Sequence, residues 1–418
     1  QKQNRHVLRQ AVNTTAAQRG LVILVNFANT AMTHKPQEFY DMLNKEGYDS
    51  YGATGSARDY FLDSSYGKYA PEFDVLGPYT LSKNASYYGG NNSYGEDRHP
   101  DEMVLEACQL AYADGHDLSV YDADKDGVID NVYVFYAGEG EATGGAASTI
   151  WPHRWVVYPD NVGGDATVGG LTVYDYACSN ELMPSYKQAT GTDLTGIGTF
   201  VHEFGHVLGL PDLYATNGRT HRTLEGYDVM CSGSYLNYMR TPVSYSAYER
   251  MFMGWATPTQ IFPTGDEMRL TVRPNSIGNF YLITADGTQH NMDGRNPQPS
   301  EFYLIENKPG TGWDTFASYR QSNSSTDTAD KGMLVTRIRY SAETWDDNTV
   351  NNNYYSMGVA YVYTTAQEGF STFYPMLPGK TEATTLNVGN YKMKDIARDD
   401  AGNVVATIYD PNGTTSGA

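Results

Sequence analysis

The sequence is poor in cysteine, in basic residues and in long apolar runs. No segment approaches the roughly 18 consecutive apolar residues of a membrane-spanning helix. The longest apolar stretch, LVILVNF at 21–27, has the length of a buried strand. Lys and Arg number 29 against 49 Asp and Glu, so the net charge is −20. This balance argues against a nucleic-acid partner, whose phosphates require clustered basic side chains. We expect a globular protein that has no transmembrane segment and meets calcium outside the cytoplasm.

The three cysteines, Cys108, Cys178 and Cys231, match no zinc-knuckle spacing. An odd number cannot pair completely within one chain, so we expect them to be small buried residues, with one disulfide left open. Motifs for a Ser–His–Asp nucleophile elbow or a phosphate-binding loop are also missing from the sequence. Serine-nucleophile and nucleotide chemistry are therefore not indicated.

The length of 418 residues suggests two or three packed units. Residues 1–18 are polar and are interpreted as an N-terminal extension or linker. Strand-like and helical segments alternate from 19 to 256, whereas segments from 257 to 418 are nearly all strand-like and helical patterns are missing. The prediction is an α+β protein: a twisted sheet with an active-site helix, then an all-β, sandwich-like domain after a boundary near 256. The polar stretch 319–331 is predicted to be a long exposed loop.

The stretch GIGTFVHEFGHVLG, residues 196–209, has the apolar spacing of a largely buried helix. His202 and His206 are four residues apart, so their imidazoles project from the same side of that helix. This is the spacing that two nitrogen ligands need to reach one tetrahedral zinc ion. Glu203 is offset from both and can lie beside a zinc-bound water molecule. Zinc lowers the pKa of that water, and the carboxylate takes its proton as the water attacks a carbonyl carbon.

The helix must end so that a third ligand can return to the metal. Gly209 allows the left-handed turn that ends a helix, and Pro211 prevents the helix from resuming. Asp212 then falls six residues past His206, which gives HExxHxxGxxD, the extended metzincin pattern with Asp in place of a third His. Asp binds zinc through one oxygen. Glu225 is the alternative third ligand, because a downstream Glu completes the site in the other large class of HExxH enzymes.

Metzincins also place a methionine in a tight turn beneath the zinc. EGYDVMCSGSYLNY at 225–238 offers Met230 followed by Gly and Ser residues, and the alternative is an ordinary core methionine. Tyr235 is a candidate for stabilising the oxyanion. The first domain is therefore predicted to be metzincin-like.

DADKDGVID, residues 122–130, has the pattern of a calcium loop. Asp122, Asp124 and Asp126 occupy alternate positions, and three converging carboxylates repel one another unless a hard cation neutralises them. The carbonyl of Val128 and the side chain of Asp130 complete the candidate ligand set. The twelfth position is a Tyr instead of the bidentate Glu of an EF-hand, so we expect a structural calcium ion; the alternative is a solvated acidic turn.

HEFGHVLGLPDLY, YDVMCSGSYLNY and SAYERMFMGW together resemble the M6 family of metallopeptidases, the immune inhibitor A-like group of secreted bacterial enzymes. The resemblance extends over most of residues 20–385. It implies endoproteolysis of proteins with catalytic zinc and structural calcium. Zinc would bind to His202, His206 and Asp212, with Glu203 as the base and Met230 in the turn. One departure is Thr-Arg-Ile-Arg at 336–339, where relatives tend to have an aliphatic-His-Ile-Asp sequence.

Three other residues and two other functions are alternatives to this interpretation. His153 is expected to be a packed structural histidine, and Cys231 a buried thiol. His221 is a candidate for a specificity pocket, but no other residue of the sequence supports that role. A surface binding module and a calcium-dependent adhesin are the alternatives to a peptidase, and both would bind their partner without Glu203. We expect a monomer that acts on protein or peptide substrates. We also expect it to be secreted, cell-surface or periplasmic, with its signal peptide removed.

Overall fold

Strands and helices alternate through the first part of the described chain, and strands dominate the rest. The structure is a computed structural model that describes residues 18–183, 192–318, 331–363 and 385–417. Its strands are β1 Arg19–Asn26, β2 Glu72–Thr80, β3 Val132–Tyr136, β4 His153–Val156, β5 Thr167–Val168, β6 Leu171–Thr172, β7 Asp175–Asn180, β8 Thr259–Gln260, β9 Met268–Val272, β10 Tyr281–Ile283, β11 Glu301–Lys308, β12 Gly332–Arg339, β13 Val359–Tyr361, β14 Leu386–Val388, β15 Tyr391–Arg398 and β16 Val404–Tyr409. Its α-helices are α1 Pro36–Asn44, α2 Ala57–Ser64, α3 Ala85–Gly89, α4 Pro100–Ala113, α5 Gly198–Val207, α6 Ala247–Phe252 and α7 Ala342–Asp346.

The residues group into two compact units. The first unit takes residues up to 63, 67–210 and 237–242, and the second takes 64–66, 211–236 and 243 onward. This grouping differs from the predicted domains 19–256 and 257–418, because the segment 211–236 groups with residues that come later in the chain. The predicted division by sequence pattern stays a prediction.

The first unit is built on a five-stranded sheet with the order β2-β1-β3-β7-β4. β1 pairs in parallel with β2 and β3, β3 pairs in parallel with β7, and β4 lies antiparallel at the edge. Central parallel strands are covered on both faces, which explains why β1 is a continuous apolar run. Residues 21–25 of β1 are all buried.

Helices cover this sheet. On one face, alternate β1 residues such as Leu21 and Ile23 share an apolar cluster with Met103 and Cys108 of α4. Elsewhere on the sheet, Phe200 of α5 packs against aromatic side chains of β2 and β3. Its ring centroid lies 4.9 Å from that of Phe73, 4.5 Å from Tyr133 and 5.9 Å from Phe135. Burial of each such ring stabilises the fold by about 1.5–3 kcal/mol.

The second unit contains two further sheets around one apolar cluster. One has the order β13-β12-β11-β10-β8 and the other β14-β15-β16-β9. All pairs are antiparallel apart from β8 with β10. Side chains of both sheets, including Val272, Ile305 and Val404, form the shared core. The sandwich-like description of this region stays a prediction, as does the metzincin-like description of the first domain.

The later part of the chain contains a short helix that its strand-like sequence does not indicate. This helix, α7, forms at Ala342–Asp346. Ser341 caps it by accepting the Thr344 N–H at 3.5 Å. A five-residue helix is too short to show an amphipathic period, which is why the sequence pattern missed it. The predicted exposed loop at 319–331 lies almost wholly outside the described residues.

Within the described residues, no helix combines the length and the apolarity that a bilayer crossing requires.

Candidate metal centre

The two-histidine helix predicted from the sequence is α5, and its first turn is tied to the segment 237–239. The Gly198 N–H donates to the Met239 carbonyl at 2.7 Å. A Cβ added at Gly196 would lie 2.2 Å from that same oxygen, so only glycine allows this approach. Asn237, Tyr238 and Met239 have φ values of 47°, 54° and 64°. Three successive left-handed residues that are not glycine cost about 1–2 kcal/mol each, so the surrounding packing must hold them.

Helix geometry brings His202, Glu203 and His206 together, as the spacing predicts. One candidate ligand atom from each residue lies within 4.8 Å of the other two. The imidazole centroids of the two histidines are 4.9 Å apart and their planes are 87° to each other. All three side chains are buried, at 7%, 5% and 2% exposure respectively. Two imidazoles and a carboxylate, gathered on a buried helix face, are donors that suit a divalent zinc ion.

The helix ends as the glycine predicts. Gly209 has a φ of 108°, a conformation that residues with a Cβ rarely adopt. Its N–H donates to the His206 carbonyl at 3.0 Å, and the Leu210 N–H donates to the Gly205 carbonyl at 3.0 Å. These two bonds form a Schellman motif, which satisfies carbonyls at the helix end and reverses the chain.

The same turn sets the protonation of His206. Its Nδ1 lies 2.7 Å from the Leu210 carbonyl oxygen, which only accepts hydrogen bonds. Nδ1 therefore carries a proton, so the neutral form of the ring presents its lone pair at Nε2. A metal-binding histidine is held in this way when its other ring nitrogen donates to a carbonyl. The residues present thus fit a zinc ion, both in donor type and in tautomer.

Asp212 lies in the second unit and is 1% exposed. Its Oδ2 accepts a hydrogen bond from Asn348 Nδ2 at 2.7 Å, and its own N–H donates to Asn348 Oδ1 at 2.7 Å. Glu225, the alternative ligand, is half-buried, and its carboxylate accepts the Thr223 N–H at 3.0 Å. The choice between Asp212 and Glu225 as third ligand stays a prediction.

Met230 is fully buried and lies in a tight turn. Its N–H donates to Asp228 Oδ1 at 2.8 Å, while the Asp228 carbonyl accepts from the N–H groups of Cys231 at 3.1 Å and Gly233 at 2.9 Å. The Met230 carbonyl accepts the Leu213 N–H at 2.8 Å, so the turn is joined to the residue that follows Asp212. A turn around Met230 is therefore present.

The acidic loop at 122–130 gathers three carboxylates in the first unit. Oxygen atoms of Asp122, Asp124 and Asp130 lie within 4.8 Å of one another. The Asp126 N–H donates to Asp122 Oδ1 and to Asp124 Oδ1, both at 3.1 Å. The Asp126 carboxylate accepts the Val128 N–H at 2.9 Å. Burial raises the pKa of Asp130, and the charges of Asp124, Asp122 and Asp126 raise it further.

The backbone of this loop matches the predicted sharp turn. Gly127 has a φ of 85° and accepts the Thr172 N–H at 2.9 Å, while Val128 bridges to Thr172 of β6. The loop is thereby attached to the β5–β6 hairpin and leads directly into β3.

A comparison with protein families decides what this chemistry belongs to. The sequence profile described as "Immune inhibitor A peptidase M6, catalytic domain" matches residues 21–257, over half of the chain. The chain belongs to the M6 metallopeptidases.

Two named relatives agree with this membership. The M6 chain is 28% identical over 319 residues to the pre-pro-metalloprotease PrtV of Vibrio cholerae serotype O1 (strain M66-2); the match covers 66% of this chain and 33% of PrtV. It is 27% identical over 271 residues to immune inhibitor A of Bacillus thuringiensis subsp. alesti, covering 56% of this chain and 39% of the relative. The matched region thus spans 33% to 39% of the length of these curated relatives.

Four further candidate residues of the sequence, His153, His221, Cys231 and Tyr235, can be placed by their contacts in the M6 chain. His153 is buried, and its nitrogens contact the Trp151 carbonyl at 2.6 Å and the Tyr176 hydroxyl at 2.8 Å, as expected of a packed histidine. His221 Nε2 lies 2.7 Å from the Asn351 carbonyl. Burial raises the pKa of the Cys231 thiol to about 12, which keeps it neutral. Tyr235 ends a short 3-10 turn in the second unit, and its predicted oxyanion role is untested.

All three cysteines of the M6 chain are buried, and the disulfide that the sequence left possible does not form among them. Their expected role as small buried residues is confirmed.

Sequence reasoning missed an asparagine-rich segment, residues 348–352, that holds the loop after α5. Besides its contacts to Asp212, Asn348 accepts the Thr216 hydroxyl with its carbonyl at 2.8 Å. Asn351 donates to the Leu213 carbonyl at 2.8 Å, and Asn352 accepts the Thr216 N–H at 2.7 Å. The run NTVNNN at 348–353 is a visible signal, but nothing in it points to a partner 136 positions away.

Proposed function

We propose that this chain is a zinc-dependent endopeptidase that hydrolyses peptide bonds in proteins. The observation that carries the proposal is the buried cluster of His202, Glu203 and His206, whose candidate ligand atoms lie within 4.8 Å of one another on α5. Family membership supports a catalytic metal. The relative that is named a metalloprotease supports protein substrates. Because the match spans under two-fifths of the length of the two relatives, the activity of the chain itself is part of the proposal.

In the proposed site His202 and His206 hold the zinc, and Asp212 is the third ligand. The support for Asp212 is its position six residues past His206, directly after the Gly209 turn, and the monodentate zinc binding that Asp provides. When bound, zinc supplies Lewis acidity, which lowers the pKa of a water molecule and polarises a carbonyl group. Met230 is proposed as the turn methionine of a metzincin-like domain.

Glu203 is proposed as the general base. Its carboxylate lies beside both histidines and is 5% exposed. As the oxygen of the attacking water bonds to the peptide carbonyl carbon, Glu203 takes one proton from that water. It then passes the proton to the nitrogen of the leaving amine, so that the C–N bond breaks and the carboxylate is regenerated. A residue that moves a proton in both steps is needed for turnover but not for metal binding.

We also propose that the loop at 122–130 binds a structural calcium ion through Asp122, Asp124, Asp126, Asp130 and the Val128 carbonyl. Its convergent oxygens and its sharp turn at Gly127 support hard-cation binding. The calcium loop and the net charge of −20 support a location outside the cytoplasm, as a secreted, cell-surface or periplasmic protein. We infer a monomer that needs no nucleic acid.

The test is digestion of unfolded casein by the wild type and by Glu203→Ala, with the zinc content of each measured. We expect Glu203→Ala to keep the fold and about one zinc ion while losing about 10²–10⁴-fold in cleavage rate. Glu225→Gln is the matched control, and it should keep both zinc and activity if Asp212 is the third ligand.

Wild-type cleavage rates in Glu203→Ala would remove Glu203 from the mechanism. Loss of zinc in Glu225→Gln would move the third ligand to Glu225. If neither wild type nor variant cuts while both hold zinc, deletion of residues 1–18 tests whether that segment keeps the enzyme latent.

A further inference from the structure

Asp212 and Asn348 form a reciprocal pair in the second unit. The Asp212 N–H donates to Asn348 Oδ1, and Asn348 Nδ2 donates to Asp212 Oδ2, both at 2.7 Å. Asp212 is 1% exposed and Asn348 is completely buried. One amide side chain therefore contacts both the backbone and the carboxylate of the same residue, away from competing water.

The direction of both bonds is determined by chemistry. A backbone N–H only donates, so the atom opposite it must be the amide oxygen. An ionised carboxylate only accepts, so the atom opposite Asp212 Oδ2 must be the amide NH₂ group. A flipped amide would place its oxygen against the Asp212 carboxylate, acceptor against acceptor. It would also place its NH₂ group against the Asp212 N–H, donor against donor. Asparagine is matched to this position, whereas aspartate would lack the donor and leucine would lack both groups.

Asn348 is itself held in place. Its φ is 55°, a left-handed conformation that asparagine tolerates better than most residues. Its N–H donates to the Trp345 carbonyl of α7 at 3.3 Å, and its carbonyl accepts the Thr216 hydroxyl at 2.8 Å. Trp345 is anchored in turn, because its Nε1 donates to the Tyr248 hydroxyl at 2.9 Å. The amide is therefore presented by a braced backbone.

We propose that Asn348 is a positioning residue that fixes the orientation of the Asp212 carboxylate, the proposed third zinc ligand. The inference rests on the proposed function, which assigns Asp212 as the third zinc ligand. The hydrogen bond to Oδ2 sets the plane of the carboxylate. The bond to the Asp212 N–H sets the backbone from which the side chain projects. Together they fix both the side chain and the backbone of a proposed ligand that lies beyond the helix.

The expected size of the effect follows from comparable metal sites. Removal of a hydrogen-bond partner that orients a ligand typically lowers metal affinity by about 10–100-fold. Removal of the ligand itself should lower the affinity more. A positioning role therefore predicts a graded series of zinc dissociation constants, in which the Asn348 variant lies between the wild type and the Asp212 variant.

The experiment uses the full chain with Asn348→Gly, Asp212→Ala, the double variant and Asn352→Ala. Glycine accepts a φ of 55°, so Asn348→Gly removes the amide without backbone strain. Asn352→Ala is the matched control, because the Asn352 side chain also holds this loop: its Oδ1 accepts the Thr216 N–H at 2.7 Å. The readouts are the zinc dissociation constant by chelator competition, the visible spectrum of the Co²⁺-substituted protein, and thermal unfolding of each metal-free form.

Support requires three results. Asn348→Gly weakens zinc binding by about 10–100-fold and changes the Co²⁺ spectrum, while Asn352→Ala changes neither. Asp212→Ala weakens binding more than Asn348→Gly does. Adding Asn348→Gly to Asp212→Ala has no further effect, because the group being positioned is already gone.

The remaining outcomes separate the two hypotheses. If Asp212→Ala weakens zinc binding and Asn348→Gly does not, the positioning role is overturned and the ligand assignment stands. If Asp212→Ala keeps wild-type affinity, the ligand assignment itself fails. If Asn348→Gly weakens binding equally in both backgrounds, or Asn352→Ala weakens it as much, the effect is general loop anchoring and the proposal is overturned. Comparable unfolding of the metal-free forms shows that the variants are folded.

Discussion

Among single residues, Asp228 and Glu249 show how burial controls charge beside the Met230 turn. Both are almost completely buried in the second unit. Burial raises the pKa of Glu249 well above its usual value, and the charge of Asp228 raises it further. Burial also raises the pKa of Asp228, to about 6. Asp228 accepts the Met230 N–H, which favours its ionised form, so Glu249 is the residue that keeps a proton near neutral pH.

This pair gives stability a definite pH dependence. Folded protein holds a proton on Glu249 that the unfolded chain releases above its ordinary pKa of about 4.3. Above that pH the folded state binds more protons than the unfolded state, so the free energy of unfolding falls as the pH rises further. Glu249→Gln, a neutral isostere of the protonated acid, removes this contribution. We expect the variant to become more stable relative to the wild type as pH increases from 5 to 8, measured by urea unfolding.

The matched control is Glu38→Gln. Glu38 has the same place in a helix as Glu249, because each accepts the N-cap N–H of its capping box, at 2.7 Å and 2.9 Å respectively. Glu38 lies nearer the surface, so its variant reports the loss of a capping-box carboxylate without deep burial. A stability difference for Glu249→Gln that stays constant from pH 5 to 8 would contradict a protonated Glu249.

At the scale of elements, the end of α5 links helix geometry to metal binding. The Schellman turn at Gly209 places the Leu210 carbonyl against His206 Nδ1. The same turn brings the chain out of the helix three residues before Asp212. One glycine therefore affects the tautomer of one proposed ligand and the path to another.

Gly209→Ala is expected to weaken zinc binding, whereas Gly47→Ala is not. Gly47 follows α1 with a φ of 66° and has nothing within 4 Å of an added Cβ. Both substitutions force a residue with a Cβ into a positive φ, so both should lower the free energy of unfolding by about 1–2 kcal/mol. Only Gly209→Ala should also raise the zinc dissociation constant, because only that strain displaces the Leu210 carbonyl. Zinc competition and urea unfolding of both variants measure the two effects separately.

Gly209→Ala could lose the expected stability and still bind zinc as tightly as the wild type. That result would show that the turn ends the helix without positioning the ligands.

At the scale of the whole molecule, the net charge of −20 favours cations over anions as binding partners. The acidic loop at 122–130 leads into β3, a central strand of the first sheet, and is attached to the β5–β6 hairpin. A cation at this loop would bind the folded chain and not the unfolded one. Binding of that kind stabilises by mass action, by about 2.7 kcal/mol at a hundredfold excess over the dissociation constant.

Calcium added to calcium-depleted protein, at constant zinc, should raise the melting temperature by roughly 5–10 °C. Asp124→Asn removes one charged oxygen from the cluster and should reduce this shift. Asp400→Asn, an exposed acid on a hairpin turn of the second unit, is the control that should leave it unchanged. Differential scanning calorimetry measures the shift. An equal response in all three proteins would reduce the loop to a solvated acidic turn.

Local sequence predicted the parts of the site that depend on neighbours in the chain. A spacing of four residues puts His202 and His206 on one side of a helix, and Gly209 ends that helix, because both effects act within a few backbone hydrogen bonds. The gathering of Asp122 and Asp124 follows from the same local geometry, whereas the third oxygen of the cluster belongs to Asp130 instead of Asp126, the residue that the alternate spacing indicates.

Tertiary structure alone decided what comes from far along the chain. Asn348 contacts Asp212 across 136 positions, and Glu249 affects Asp228 through burial that no local pattern reports. The grouping of 211–236 with later residues also departs from the boundary that strand and helix patterns suggested. Composition and periodicity predict which faces of a helix or strand are buried, but they do not predict which distant residue contacts those faces. The sequence by itself therefore determined the metal helix and its chemistry, and only the folded chain determined what holds Asp212 in place.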